Sequence, residues 1–215
     1  MTTITIIDYG GSNLKSVYKA LESVSSKKFN IKVSSDIKEI TDSDKIVFPG
    51  QGAIGDCMNQ LKKTGLGRKI KNFCQTKPFL GICLGLQSLM SKSEEDNGTT
   101  CLNLIDGEVK RFQKPHNISE KNFYKIPHMG WNNVYWEKMH PLMQGIPSGT
   151  RFYFVHSYFV KPTDRDLIVG KTNYLGEFTS SIVRENIFAT QFHPEKSSAA
   201  GLKLLENFVN WDGVS

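Results

Sequence analysis

The heptapeptide Gly81-Ile82-Cys83-Leu84-Gly85-Leu86-Gln87 decides the fold of this chain. Residues 77–80 before it are typical of a buried strand, and residues 84–90 after it have helical character. A cysteine at this junction is expected on a tight turn, as an exposed thiol at a helix N-terminus, where backbone N–H groups favour the thiolate. Gly81 and Gly85 remove side chains where strand and helix cross closely. The heptapeptide therefore predicts a nucleophilic cysteine.

Strands and helices alternate through the first half of the chain. Apolar runs at 4–8, 31–34, 45–48 and 79–82 predict strands, and residues 14–24 carry apolar side chains at helical spacing. A further helical stretch runs to Cys74, with a break at 65–67. This β-α-β order predicts an α/β fold, with a mostly parallel central sheet flanked by helices on both faces.

The second half predicts antiparallel strands added to that sheet. Short apolar segments lie at 109–112, 134–136, 152–160, 167–172, 180–184 and 187–192, and an amphipathic helix closes the chain at 196–211. Glu185-Asn186 is expected to join the last two strands as a hairpin. The polar segments 91–100 and 113–122 predict surface loops. We expect a single domain over residues 1–215, because no long linker separates two parts.

Composition and charge argue against several classes of protein. The hydrophobic content of 39% is ordinary for a globular domain, and no apolar run approaches the ~20 residues of a membrane span. The net charge is +6, but the basic residues are spread, which favours a solvated basic surface or an acidic protein partner over nucleic acid. The four cysteines contain no C-x-x-C pair. This argues against a zinc site and for reduced thiols in a cytosolic protein.

A cysteine nucleophile needs a base, and His193 is the best placed of the five histidines. It follows an apolar strand, and Glu195 lies two residues on, on the same side of an extended chain. Glu195 is expected to hold one ring nitrogen of His193 while the other faces Cys83. His-Pro-Glu alone is equally typical of a turn, so its meaning depends on Cys83. His156 is expected in the core or an interface, and His140 in solvent.

Attack on an amide also needs N–H groups that receive the negative oxygen. Leu84, directly after the cysteine, offers one backbone N–H. The loop Pro49-Gly50-Gln51-Gly52 follows another parallel strand and offers a second, because its glycines let the backbone approach a ligand closely. A plain glycine loop is the alternative.

These motifs together resemble the class I (triad) glutamine amidotransferases. Gly-x-Cys-x-Gly-x-Gln at 81–87, Pro-Gly-x-Gly at 49–52 and Phe-His-Pro-Glu at 192–195 carry the resemblance, which runs from the first strand to the last helix. Within that family the chain is most similar to the glutaminase subunits of imidazole glycerol phosphate synthase. The segments behind this closer match are DYGGSNL at 8–14, PHMGWN at 127–132, YFVHSY at 153–158 and FHPEKS at 192–197.

The resemblance implies a role for each matching residue. Cys83 would be the nucleophile, His193 the general base and then acid, and Glu195 the carboxylate that orients it. The implied oxyanion and substrate-binding residues are Gly50, Gln51, Gly52, Leu84, Gln87, Glu95, Ser157 and Tyr158. The positions implied to face a synthase partner are Asn13, Met129, Trp131, Tyr153 and Lys196.

The activity that the resemblance implies is hydrolysis of glutamine to glutamate and ammonia, without a metal or organic cofactor. Ammonia would pass through a channel to a (β/α)8 cyclase in a heterodimer. There it would form imidazole glycerol phosphate and aminoimidazole carboxamide ribotide in histidine biosynthesis. Three alternatives stay open: a paralogous amidotransferase for surface-sugar biosynthesis, a cysteine hydrolase acting on another amide, and a non-catalytic regulatory module on the same fold.

Two segments depart from the family pattern. Position 51 is usually valine in the family and is glutamine here, and Cys101 and Asn103 stand where glycine is common. A larger polar side chain at position 51 is expected to alter how the loop presents its N–H. Neither departure involves the three implied catalytic positions.

Overall fold

A computed structural model of the chain describes residues 1–10, 13–113 and 125–214. Its strands, numbered along the chain, are β1 Thr2–Ile7, β2 Phe29–Ser34, β3 Lys45–Gly50, β4 Phe79–Cys83, β5 Lys92–Ser93, β6 Thr99–Thr100, β7 Gly107–Arg111, β8 His128–Trp136, β9 Thr150–His156, β10 Tyr158–Pro162, β11 Ile168–Asn173, β12 Glu177–Arg184 and β13 Ile187–Thr190. Its α-helices are α1 Leu14–Val24, α2 Ile37–Thr41, α3 Ile54–Thr64, α4 Leu66–Thr76, α5 Leu84–Gln87 and α6 Ser198–Asn210. Single 3-10 turns cover Glu95–Asn97, Pro141–Met143, Arg165–Leu167 and Pro194–Lys196.

One half of the central sheet is parallel. Its strands lie side by side in the order β2-β1-β3-β4-β13. In this register Gly50 at the end of β3 lies opposite Cys83 at the end of β4. Ligands of open α/β sheets bind outside the carboxyl ends of such strands, so this edge is where a site is expected.

Antiparallel strands extend the sheet beyond β13. β12 forms a hairpin with β13 through the pair Arg184 and Ile187, and β10 and β7 continue outward from β12. β11 pairs with both β12 and β8, and β8 forms a long hairpin with β9. The predicted α/β class, with a parallel sheet and antiparallel strands in the second half, is confirmed.

Helices cover both faces of the sheet and divide the core into two clusters. On one face Leu21 of α1 and Leu205 of α6 pack with Ile6 and Val47 of the strands. On the other, α2 to α5 pack against strand residues that include Phe48 and Phe79. Alternate side chains of a buried strand point to opposite faces, so adjacent residues of β3 serve different clusters.

Several predicted elements need correction. The apolar segment 152–160 is two strands, β9 and β10, which separate at Ser157 and join different partners. The helix expected at 84–90 ends at Gln87, and α2 was not predicted. Helix α1 is confirmed over 14–24, and Gly65, with φ of 74°, separates α3 from α4 within the predicted break.

The surface predictions also differ from the structure in part. Residues 91–100 hold β5, β6 and a 3-10 turn rather than a plain loop. Of the segment 113–122, all but Gln113 lies outside the described residues. His140 is buried rather than solvated, because its ring packs between Phe188 and Trp211. His156 is buried, as expected. Within the described part of the chain, no helix has both the length and the apolar character to cross a membrane.

Candidate active site

Cys83 lies at the end of β4, where the chain turns directly into α5. Its φ of 54° and ψ of −103° are a strained conformation for a residue other than glycine. The turn is so tight that a Cβ on Gly85 would lie only 1.9 Å from the carbonyl oxygen of Phe48. A Cβ on Gly81 would lie 3.2 Å from the carbonyl carbon of Gly85 in α5. The predicted close crossing at both glycines is therefore confirmed.

The Cys83 thiol is buried, and the prediction of an exposed thiol is wrong. Only 6% of the residue is accessible, because residues from the second half of the chain help to wall in the elbow. Cys83 instead lines a cavity of about 420 Å³. The other lining residues are Gln51, Gly52, Leu84, Gln87, Glu95, Pro127, Val155, His156, Ser157 and Tyr158. The cavity thus gathers the predicted oxyanion and substrate residues, except Gly50, which lies beside Cys83 in the sheet.

His193 and Glu195 form a buried pair. Nδ1 of His193 lies 2.8 Å from Oε1 of Glu195, across a 3-10 turn rather than an extended segment. The same Oε1 accepts a hydrogen bond from Nδ2 of Asn13 at 2.9 Å. The backbone N–H of His193 donates to the carbonyl of Tyr153 at 2.9 Å, which ties this turn to β9. Asn13, predicted at the partner surface, is therefore engaged with Glu195.

The imidazole of His193 favours its charged form. Burial lowers the pKa of His193, but the negative charge of Cys83 and the contact with Glu195 outweigh burial and raise it to about 10. Nε2 of His193 is buried, and a side-chain hydrogen-bonding interaction with Cys83 is among the causes that raise the pKa of His193. The imidazolium is therefore the charge state of His193 that this arrangement stabilises.

A chain of buried amides reaches the Cys83 sulfur. Nε2 of Gln87 donates to the carbonyl oxygen of Tyr158 at 2.9 Å and to Oε1 of Gln191 at 3.1 Å. Nε2 of Gln191 in turn lies 3.5 Å from Sγ of Cys83. Gln191 was not among the predicted site residues. Its signal in the sequence is a single amide in the apolar run that leads to His193.

Glu95 reaches the cavity from a 3-10 turn. Its Oε2 accepts the backbone N–H of Ile54, the first residue of α3, at 3.1 Å. Burial raises the pKa of Glu95, and this N–H lowers it by a smaller amount. Ser157, at the break between β9 and β10, lines the same cavity. Carboxylate and hydroxyl groups so placed suit a zwitterionic ligand.

Glycine is favoured at the end of β3 and in the loop after it, for a different reason at each position. A Cβ on Gly50 would lie 2.6 Å from the hydroxyl of Tyr9 and 2.8 Å from Cβ of Leu84. Gly52 has φ of 95°, which favours glycine. Burial raises the pKa of Tyr9, so its hydroxyl stays protonated beside the loop. Gln51 is exposed and lines the cavity mouth.

Of the other two departures from the family pattern, the one at Asn103 has a structural explanation. Asn103 has φ of 51°, a conformation that glycine adopts freely and asparagine tolerates. Its Oδ1 accepts a hydrogen bond from Ser91 Oγ at 2.7 Å. Cys101 is a buried free thiol.

Across residues 1–10, 13–113 and 125–214, no group of three or more His, Cys, Asp or Glu is placed to hold a metal ion.

Four of the predicted partner positions form a surface beside the site. Met129 is 62% exposed and Trp131 is 42% exposed, both on β8. Trp131 pairs with Tyr153 across the β8–β9 hairpin, with ring centroids 6.2 Å apart. Lys196 is exposed at the end of the turn that carries His193. We name Met129, Trp131, Tyr153 and Lys196 the β8–β9 surface.

Comparisons with known proteins show the family of this chain. The family described as Glutamine amidotransferase class-I matches residues 5–211. Imidazole glycerol phosphate synthase subunit HisH of Nitrosococcus oceani is 47% identical over 215 residues and covers 100% of both chains. The HisH protein of the same description from Thiobacillus denitrificans is 50% identical over 212 residues, covering 97% of this chain and 91% of the relative. The solved structure of a glutamine amidotransferase from Thermotoga maritima has a TM-score of 0.61 at 16% identity, covering 90% of this chain and 76% of that one, and supports the fold. The chain belongs to the class-I glutamine amidotransferase family, and within it to the imidazole glycerol phosphate synthase HisH subunits.

Proposed function

We propose that this protein is the glutaminase subunit of an imidazole glycerol phosphate synthase, acting in histidine biosynthesis as a single domain over residues 1–215. The observation that carries the proposal is Cys83, strained on its turn and lining a cavity, in electrostatic contact with the buried His193–Glu195 pair. A nucleophile, a base and an orienting carboxylate are the groups that amide hydrolysis through a thioester requires.

The reaction follows from these groups. The Cys83 thiolate attacks the side-chain amide carbon of glutamine, and the resulting oxyanion is received by the N–H of Leu84 and the 50–52 loop. Imidazolium His193 gives its proton to the departing nitrogen, which leaves as ammonia, and a γ-glutamyl thioester remains. Neutral His193 then takes a proton from water, whose oxygen attacks the thioester and releases glutamate and the thiolate.

The bound glutamine would be held through its α-substituents. Both protons on Nε2 of Gln87 are used, by Tyr158 and Gln191, so Gln87 can offer a ligand only its carbonyl oxygen. An amide oxygen and the Glu95 carboxylate both attract an α-ammonium group. Ser157 can serve the α-carboxylate. This division matches the charges of an amino-acid substrate.

The partner would be the cyclase that consumes ammonia, a (β/α)8 protein joined to this chain in a heterodimer. The β8–β9 surface is the proposed docking face, because exposed Met and Trp side chains are typical anchors of protein interfaces. A basic net charge of +6 favours an acidic partner. The four cysteines are all free, which suits the cytoplasm.

Glutamate release by the wild type and by Cys83→Ala tests the proposal. We expect low activity alone and a large increase with a cyclase and its ribulose-phosphate ligand. Cys83→Ala is expected to lose activity by at least about a thousandfold while it still binds the cyclase. Cys74→Ala, which removes a buried thiol from α4, is the matched control and is expected to stay active.

Two results would contradict this function. Retained glutaminase activity in Cys83→Ala would remove Cys83 from the reaction. Stimulation by a surface-sugar synthase, without stimulation by the histidine-pathway cyclase, would assign the chain to the paralogous amidotransferases.

A further inference from the structure

Gln191 is a buried side chain that touches the proposed nucleophile. It is 0% exposed and lies just beyond the end of β13, the strand parallel to the one that ends in Cys83. Its Nε2 lies 3.5 Å from Sγ of Cys83, within hydrogen-bonding range of a sulfur acceptor. Its Oε1 accepts from Gln87. Burial of an amide costs free energy unless both its nitrogen and its oxygen make hydrogen bonds, so burial at position 191 favours both contacts.

The direction of these hydrogen bonds is fixed by one carbonyl group. The main-chain oxygen of Tyr158 can only accept, so the nitrogen of Gln87 faces it. The same Gln87 nitrogen then donates to Gln191, which turns the oxygen of Gln191 toward Gln87 and its nitrogen toward Cys83. A flipped Gln191 would place its nitrogen against the nitrogen of Gln87, so that two donors would face each other. The Cys83 sulfur therefore receives an N–H.

We propose that Gln191 is a further catalytic residue, whose amide N–H stabilises the Cys83 thiolate and whose carbonyl oxygen holds Gln87 in place. The inference rests on the proposed function, in which Cys83 is the nucleophile. A thiolate is a stronger hydrogen-bond acceptor than a thiol, so the donor favours the reactive form. Unlike His193, Gln191 transfers no proton. It links the reacting sulfur to the side chain that would bind the α-substituents of glutamine.

The rate of Cys83 alkylation by iodoacetamide, measured across pH by mass spectrometry of the Cys83 peptide, tests this role without glutamine or partner. Gln191→Met has similar length and no donor. Its alkylation profile is expected to move by about one pH unit toward alkaline pH, which is about a tenfold change at neutral pH. Gln191→Asn keeps a buried amide but shortens its reach, and is expected to shift the profile in the same direction.

The matched control is Thr190→Val. Thr190 is equally buried and its hydroxyl donates to the Phe192 carbonyl at 2.9 Å, so the variant removes one neighbouring hydrogen bond that does not reach the sulfur. It is expected to lower the melting temperature without moving the alkylation profile.

Steady-state kinetics separate the two contacts of Gln191. With the cyclase present, Gln191→Met is expected to lower kcat about tenfold and to raise KM for glutamine, because it also releases Gln87. A folded Gln191→Met or Gln191→Asn whose alkylation profile overlays that of the wild type would overturn the inference. The proposed function would still stand, since it depends on the loss of turnover in Cys83→Ala.

Discussion

Asn13 and His193 share one oxygen of Glu195, and this sharing defines what the carboxylate does. Oε1 accepts from Asn13 Nδ2 and from His193 Nδ1, while Oε2 is buried with no partner among the described residues. Two donors on one oxygen fix the carboxylate in place. Its charge is then available to stabilise the imidazolium that forms when His193 carries a proton.

Glu195→Gln tests that electrostatic role. The amide has the same shape and its oxygen can still accept from His193, but it carries no charge to stabilise the imidazolium. We expect kcat for glutamine hydrolysis to fall by at least about a hundredfold, with little change in KM. Asn13→Ala, which removes only the second donor, is expected to have a smaller effect. Equal losses in the two variants would mean that geometry rather than charge matters at Glu195.

Spacing in the sequence predicted the contact between near neighbours, whereas the distant contacts of Asn13 and Gln191 were not predictable. The His193–Glu195 contact follows from a separation of two residues, whereas Asn13 and Glu195 are 182 residues apart. Gln191 and Cys83 are 108 apart. No local pattern marks such pairs, because they depend on which strands become neighbours in the sheet.

At the scale of elements, the turn from β4 into α5 depends on the absence of a side chain at Gly85. Gly85→Ala would force a methyl group into the Phe48 carbonyl of β3, where the backbone cannot yield cheaply. We expect a loss of unfolding free energy of about 3 kcal/mol or more, measured by urea denaturation. Gly67→Ala is the control: its Cβ would meet its nearest neighbour, Leu102 Cδ2, at 3.4 Å, so a change of no more than about 1 kcal/mol is expected. Similar losses in both variants would contradict the close crossing.

The elements that sequence patterns missed have physical reasons. Residues 152–160 are rich in aromatic and β-branched side chains on both sides of Ser157, so strand propensity does not mark the break there between β9 and β10. That break is set by pairing, since β9 joins β8 and β10 joins β7. Helix α2 has only five residues, too few for a periodic signal.

Across the whole molecule, the candidate site lies where the parallel and antiparallel parts of the structure meet. The parallel strands present Cys83 and the 50–52 loop at their carboxyl ends. The added strands provide His156, Ser157 and Tyr158 to the same cavity. The β8–β9 surface adjoins this wall. Strand β9, which pairs with β8, also accepts a hydrogen bond from the backbone N–H of His193 at the carbonyl of Tyr153. A partner bound to that surface would thus contact the elements that hold His193.

Three buried histidines predict how stability depends on pH. His156 Nδ1 donates to the Tyr158 carbonyl at 2.7 Å, so its other nitrogen must accept from His128 at 2.9 Å. Protonation of His156 would therefore set two donors against each other. Burial lowers the pKa of His128 and of His140 to about 4 and that of His156 to about 3. All three are therefore neutral in the folded protein at neutral pH.

Acidification from pH 6.5 to 4 is expected to lower the free energy of unfolding, because the histidines take up protons in this range in the unfolded chain but not in the folded protein. Each of the three groups contributes a slope of about 1.4 kcal/mol per pH unit. His193, with its raised pKa, acts in the opposite direction and above this window, between about pH 6.5 and 10.

In His140→Asn the side-chain oxygen can still accept the N–H of Leu142 that Nδ1 accepts at 3.1 Å, but the titrating ring is gone. Urea denaturation across this range should therefore give a shallower pH dependence for His140→Asn, by on the order of 1 kcal/mol per pH unit. Parallel curves for variant and wild type would mean that His140 is protonated in the folded protein as readily as in the unfolded chain.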